Sequence, residues 1–127
     1  MIHIGDCHCG KVRFEFESES DVSLLRCNCS ICDRLGFLHL IIPQRLMTFK
    51  AGWDEIQLYT FNSGTAKHYF CKTCGVKPFY VPRSNPDCYS INFRNVDQST
   101  FGKVTIEDFD GRNWEANAAR LAHLSEQ

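Results

Sequence analysis

Seven of the eight cysteines stand in three tight groups, and no other feature of the 127-residue chain restricts its fold as much. Cys7-His8-Cys9 is followed by Gly10, and Cys71-Lys72-Thr73-Cys74 by Gly75. Between them lies Cys27-Asn28-Cys29-Ser30-Ile31-Cys32, and Cys88 stands alone. An even number of cysteines invites disulfide pairing. The clustering argues for metal instead. Cysteines one residue apart are poorly placed to bridge each other, whereas thiolates that must converge on one ion are best supplied by one short stretch. The amino-terminal segment Met1-Ile2-His3-Ile4-Gly5-Asp6 lacks the basic and apolar regions of a secretory signal. The expected compartment is therefore the reducing cytoplasm, where thiols stay free. All-thiolate donor sets suit zinc or iron–sulfur clusters, and the C-x-x-C-x-x-C run of bacterial ferredoxins is absent, so Zn2+ is expected.

Seven ligands divide into four and three. Cys71 and Cys74 form a half-site whose trailing glycine accepts the tight turn behind the ion. Cys7 and Cys9 form a second half-site of the same kind. Together they fill a tetrahedral zinc, and a filled site is structural. Cys27, Cys29 and Cys32 remain, three donors within six residues. A catalytic zinc keeps three protein ligands and an open fourth position, so the count suggests an open site. The competing reading is that Cys88, His39 or His68 closes it and makes it structural too. Spacing alone also permits other partitions of the cysteines between two ions.

The length fits a single domain spanning residues 1–127. Net charge is −1 and there is no basic run, which argues against nucleic acid or an anionic membrane as partner. No stretch approaches the ~18 apolar residues needed to cross a bilayer. Hydrophobic residues make up 43% of the chain and ten are Phe, enough for a core. From Lys11 to Glu17 the chain alternates, with Val12, Phe14 and Phe16 on one side, as in a half-buried strand. Further short strands are predicted at Val22–Cys27, Phe37–Ile42, Ile56–Phe61, Lys67–Cys71, Val76–Val81, Cys88–Phe93 and Val104–Phe109, separated by turn residues. Ser30 is expected to cap one helical turn ending at Gly36, and Asn113 a carboxy-terminal helix with Trp114, Ala118 and Leu121 on one side. The expected fold class is mainly β.

The order C-x-C-G, C-x-C-x-x-C, F-C-x-x-C-G, with Phe79-Tyr80-Val81-Pro82-Arg83-Ser84-Asn85-Pro86-Asp87 behind it, resembles the glutathione-dependent formaldehyde-activating enzyme family. The likeness is closest to its centromere protein V-like branch and runs from Cys7 past Trp114. The resemblance implies an Mss4-like antiparallel β-sheet domain built around a four-cysteine zinc site, with a short C-terminal helix. It implies a structural zinc on Cys7, Cys9, Cys71 and Cys74, and a second, catalytic-type zinc on Cys27, Cys29 and Cys32. The family reaction joins glutathione and formaldehyde, so the implied activity is that of a carbon–sulfur lyase with a small thiol as partner. The member that names the family is longer and has His where this chain has Asn28.

Thiol chemistry fits a three-thiolate zinc. A free thiol is mostly protonated at neutral pH, and a metal ion delivers it as thiolate. Arg34 and Arg83 are candidate partners for a substrate carboxylate, His39 and His68 for a proton, and Asn28 for a substrate oxygen, although it also suits the knuckle turn. Cys88 reads as a packed thiol. The alternatives to an enzyme are a zinc-stabilised protein-interaction module of the centromere protein V type and a redox-labile zinc store. The residues do not specify an oligomeric state.

Overall fold

The computed structural model describes residues 1–126. Ten strands form two sheets. The smaller joins β1 (Ile2–Asp6), β2 (Arg13–Glu17) and β5 (Met47–Ala51) in the order β1-β2-β5, all antiparallel. The larger contains β3 (Val22–Cys27), β4 (Leu38–Pro43), β6 (Ile56–Tyr59), β7 (Lys67–Cys71), β8 (Phe79–Val81), β9 (Cys88–Asn92) and β10 (Val104–Phe109). Its order is β10-β3-β4-β9-β8-β7-β6. Every ladder is antiparallel except β10–β3, where β10 returns after a long excursion and runs parallel. Helix α1 covers Ser30–Leu35; α2 covers Trp114–Asn117 and continues as 3-10 turns from Ala118.

Alternation along the strands decides which residues meet. In β2, Phe14 and Phe16 face inward, as their spacing predicts. They meet Leu40 and Ile42 of β4, Phe79 of β8 and Ile91 of β9 in the core between the two sheets. Phe14 and Phe79 pack edge to face, ring centroids 5.5 Å apart. The residues between these positions point the other way. Leu25 and Cys27 of β3, His39 and Ile41 of β4, His68 of β7, Tyr80 of β8 and Ser90 of β9 share the second face of the large sheet. That face is covered by α1 and by the carboxy-terminal segment, where Phe109 and Leu121 are buried against Ile41 and Cys88. The centre of the large sheet, β4, β9 and β8, is thus buried on both sides, which is why β4 reads as an almost unbroken apolar run.

Two strands escape the sequence patterns. In β1 the alternation is inverted: His3 is buried, while Ile2 and Ile4 are each 51% exposed. His3 stacks on Phe101 at 3.9 Å and reaches the Ser18 carbonyl at 3.1 Å, which satisfies a ring that would otherwise belong outside. Strand β5, Met-Thr-Phe-Lys-Ala, has no clean period because it lies at the edge of the small sheet and is only half covered. The expected Val76–Val81 strand begins only at Phe79, since the turn behind Cys74 consumes the residues before it.

Candidate metal centres

The first cluster is assembled from two hairpin turns. Cys7 and Cys9 lie between β1 and β2, Cys71 closes β7, and Cys74 lies in the turn toward β8. In each turn a glycine in the left-handed region follows the cysteine pair, Gly10 at φ 80° and Gly75 at φ 76°. Its N–H bonds back to the first cysteine, at 3.2 Å to the Cys7 carbonyl and 2.8 Å to the Cys71 carbonyl. A left-handed residue with no side chain is what lets the chain wrap around the sulfurs. All four Sγ atoms lie within 4.8 Å of one another. Cys7 and Cys9 are 3.5 Å apart, and Cys9 and Cys71 3.7 Å. A tetrahedral zinc with Zn–S bonds of ~2.3 Å has sulfur–sulfur edges of roughly 3.8 Å, so the set fits the ion.

The second cluster sits where β3 runs into α1, on the opposite face of the large sheet. The sulfurs of Cys27, Cys29 and Cys32 lie within 4.8 Å of one another, and among the described residues no fourth His, Cys, Asp or Glu joins the group. Backbone N–H groups point at these sulfurs: Cys29 N–H donates to Cys27 Sγ at 3.5 Å, and Cys32 N–H to Cys29 Sγ at 3.4 Å. Cys29 is therefore the N-cap of α1, and Ser30 is the first helical residue rather than the cap. A sulfur that accepts from the helix amide takes the place usually given to a hydroxyl.

Both clusters hold more thiols than can ionise together without a cation. In the second, hydrogen bonds from the Cys27 and Cys32 thiols pull Cys29 down to about 2. The same sharing pushes Cys32 far up and raises Cys27. In the first, Cys74 is held at about 6: desolvation opposes this, and the Val76 and Cys9 amides and the Cys71 thiol outweigh it. Cys9 is pushed up to about 12: the Lys11 amide lowers it, but desolvation and the Cys7, Cys71 and Cys74 sulfurs prevail. Closely spaced thiols competing for one negative charge are what a divalent cation relieves.

The three-cysteine cluster opens into a cavity of about 670 Å³. Its sheet side carries His39, His68 and Tyr80, and the facing wall comes from the carboxy-terminal segment, including Gly111, Arg112 and Trp114. Gly111 lies so close that a Cβ there would strike Cys27 Sγ.

A family profile described as glutathione-dependent formaldehyde-activating enzyme, GFA, matches residues 2–111. The chain belongs to the GFA family. A crystal structure of a Rhodobacter sphaeroides protein is similar to it, with 34% sequence identity and a TM-score of 0.70. The alignment covers 82% of this chain and 99% of that one. The mainly β fold with a short carboxy-terminal helix and clustered cysteines agrees with the GFA assignment.

Within this GFA chain the other candidate residues separate clearly. Arg83 lines the cavity and stacks on Trp114, guanidinium to ring 3.7 Å. Arg34 instead turns back onto the Ser30 carbonyl at 2.8 Å on the outer side of α1. Asn28 uses its side chain within the knuckle: its amide donates to Asp110 at 3.0 Å, and its oxygen accepts from the Arg112 N–H at 3.0 Å. That clamps the carboxy-terminal wall to the cysteine turn. Cys88 is fully buried and joins neither sulfur group, with Ser125 Oγ 3.5 Å from its sulfur. All eight cysteines are free thiols. His39 and His68 both reach the cavity, and the Nε2 of each is buried without a hydrogen-bond partner. The sequence reading missed Lys77, Arg112, Tyr80 and Trp114. Only the helical spacing of Trp114, Ala118 and Leu121 hinted at one of them, as a helix face. No helix among the described residues is long and apolar enough to cross a membrane.

Proposed function

We propose that this GFA-family chain is a carbon–sulfur lyase-type enzyme that handles the adduct of a small aldehyde with a glutathione-like thiol. The reading assigns a structural zinc to Cys7, Cys9, Cys71 and Cys74, and a catalytic-type zinc to Cys27, Cys29 and Cys32. The observation that carries it is the difference in surroundings. Four sulfurs saturate one cluster, whereas three sulfurs with no fourth donor among the described residues open into a cavity large enough for a tripeptide's reactive end. A zinc ion at the second cluster would supply a position where a thiol loses its proton and a carbonyl oxygen is polarised.

The reaction balances without an oxidant or reductant. The thiol sulfur forms a bond to the aldehyde carbon, the carbon–oxygen π bond breaks, and the thiol proton ends on the oxygen; the reverse elimination restores both. The chain's own residues provide the rest. Arg83, held over Trp114, offers a fixed cation for a substrate carboxylate. The His39, His68 and Tyr80 side supplies polar groups on an otherwise apolar wall. Within the family the proposal takes the chain as nearest the centromere protein V-like branch, and the segments Phe70–Val76 and Phe79–Asp87 support it. The reducing cytoplasm is the proposed setting, because the ligand thiols must stay free.

Exchange-spectroscopy NMR of glutathione with formaldehyde tests the reading. Zinc-loaded protein should accelerate exchange between free and adduct forms, and C29S should abolish the acceleration. Equal exchange with and without fully loaded protein would rule out this substrate pair.

A further inference from the structure

Behind the cavity lies a buried lysine that the cysteine chemistry does not use. Lys77 is only 7% exposed, between the first cluster and β8. Its Nζ is 4.1 Å from the centre of the Tyr80 ring and 5.0 Å from that of Phe37. These two faces accommodate an ammonium largely withdrawn from water. Among the described residues, the side chain in hydrogen-bond contact with it is His68, whose Nδ1 is 2.6 Å from Nζ. An ammonium has three donors and no acceptor. With Lys77 charged, His68 Nδ1 is the acceptor of this contact, and the neutral ring then carries its proton on Nε2. Burial, followed by the Lys77 charge, holds His68 down at about 4, so the ring is neutral at physiological pH. Burial lowers Lys77 to about 8, opposed by the Cys32 and Cys29 charges, and the Tyr80 and Phe37 ring faces favour its ammonium form.

His68 Nε2–H is thus a donor of fixed position, and it has no partner. The residue is 3% exposed and lines the same cavity as the three sulfurs. Its ring is clamped between Tyr80, stacked at 4.8 Å and 8°, and Phe61 at 5.4 Å and 24°, so it cannot tip to find another acceptor. A buried N–H left unpaired is costly and calls for an explanation. His39 also has an unpaired Nε2, but its Nδ1 faces two hydroxyls, Ser90 at 2.8 Å and Tyr80 at 3.3 Å, which can each donate or accept. Its tautomer is not dictated. That of His68 is.

We propose that His68, held by Lys77 in the Nε2–H tautomer, donates a hydrogen bond to the aldehyde-derived oxygen of a substrate whose sulfur sits at the three-cysteine cluster. This rests on the function proposed above. The oxygen gains negative charge as the carbon–sulfur bond forms, and a preset donor favours that charge more than it favours the neutral carbonyl. His68 is then a catalytic residue, and Lys77 is a positioning residue that acts through it.

The test uses zinc-loaded protein with 15N-labelled histidine. Long-range proton–nitrogen NMR should show His68 protonated on Nε2. That resonance should shift with glutathione plus formaldehyde, and with neither reagent alone. In K77M the tautomer preference should be lost, and in K77R, which keeps a donor-only cation, retained. H68F should lower the rate of catalysed exchange by roughly 10²-fold with the KM for glutathione unchanged, and H68Q should recover part of it. A parallel sample carrying cobalt at the metal sites reports whether the thiol reaches the cluster. An Nδ1–H tautomer in the wild type would overturn the proposal, as would an unmoved His68 resonance while the cobalt bands respond to the adduct. Cobalt bands that respond to neither reagent would instead count against the proposed function, and the role of His68 would fall with it.

Discussion

The two cysteine clusters use the same ligand chemistry in opposite settings. The four-cysteine cluster ties one turn of the small sheet to one turn of the large sheet, and two of its members, Cys7 and Cys71, belong to the core between them. An ion held there would cross-link distant parts of the chain. The three-cysteine cluster is local, supplied by one strand end and one helix turn, and it borders a cavity instead of a core. Loss of an ion from this cluster should leave both sheets as they are. Ligand count alone does not create this difference. It follows from where the alternation of the large sheet sends each cluster, because Cys71 and His68 lie three apart on β7 and so face opposite sides.

The largest expected effect separates the two roles. C71S or C9S should fail to reach a stable fold, since a structural zinc contributes on the order of 10 kcal/mol, comparable with the whole stability of a small domain. Far-UV circular dichroism and metal content would show it. A folded C71S with one metal fewer would mean the roles are reversed. C29S should instead stay folded, lose one equivalent of metal, and lose aldehyde–thiol exchange. Serine keeps an N-cap acceptor for α1, so C29A should be less stable than C29S by about 1 kcal/mol in thermal melts. Equal melting of the two would remove the capping role of this residue.

Two glycine substitutions sharpen the contrast. G111A would push a methyl into Cys27 Sγ and to 3.0 Å from Cys29 Cβ. It should weaken the second metal selectively, read as loss of one equivalent on mild dialysis. G75A meets nothing within 4 Å, but forces φ +76° on alanine, which should lower the stability of the whole fold by roughly 1–2 kcal/mol. Were G111A to keep both metals under dialysis that strips neither from wild type, the close packing of the carboxy-terminal wall would not matter to the site. The smallest effect belongs to R83A. Loss of the cation held over Trp114 should raise the KM for glutathione about fivefold, equivalent to about 1 kcal/mol, with kcat little changed. A change in kcat alone would place Arg83 at the reacting atoms.

Some of this was legible before any coordinates. C-x-C-G and C-x-x-C-G are turn signals as well as ligand signals, because the glycine needed for the wrap is written beside the thiols. The period-two run from Lys11 to Glu17 announces a strand and its buried side together. Strand β1 was not legible, since its buried residues are His3 and Gly5 and its isoleucines face out. The capping role of Cys29 was hidden behind Ser30, the residue a hydroxyl-based rule selects. Asn28 reads in the sequence more as a turn former than as a ligand-binding amide, and its contacts with Asp110 and Arg112 place it in the turn.

The sequence by itself determined the local chemistry: which thiols travel together, which turns can wrap an ion, and which strands have an apolar side. These depend on neighbours a few residues apart, and spacing encodes them. The tertiary structure alone decided what gathers around the second cluster. Lys77, His68, Tyr80 and Trp114 come from separate elements, and nothing in their spacing says that an ammonium is buried against an imidazole or that an arginine is stacked over an indole. A buried charge or an orphaned N–H is a property of the surroundings that packing creates, so it becomes visible only once the sheet has two faces and each face has its cover.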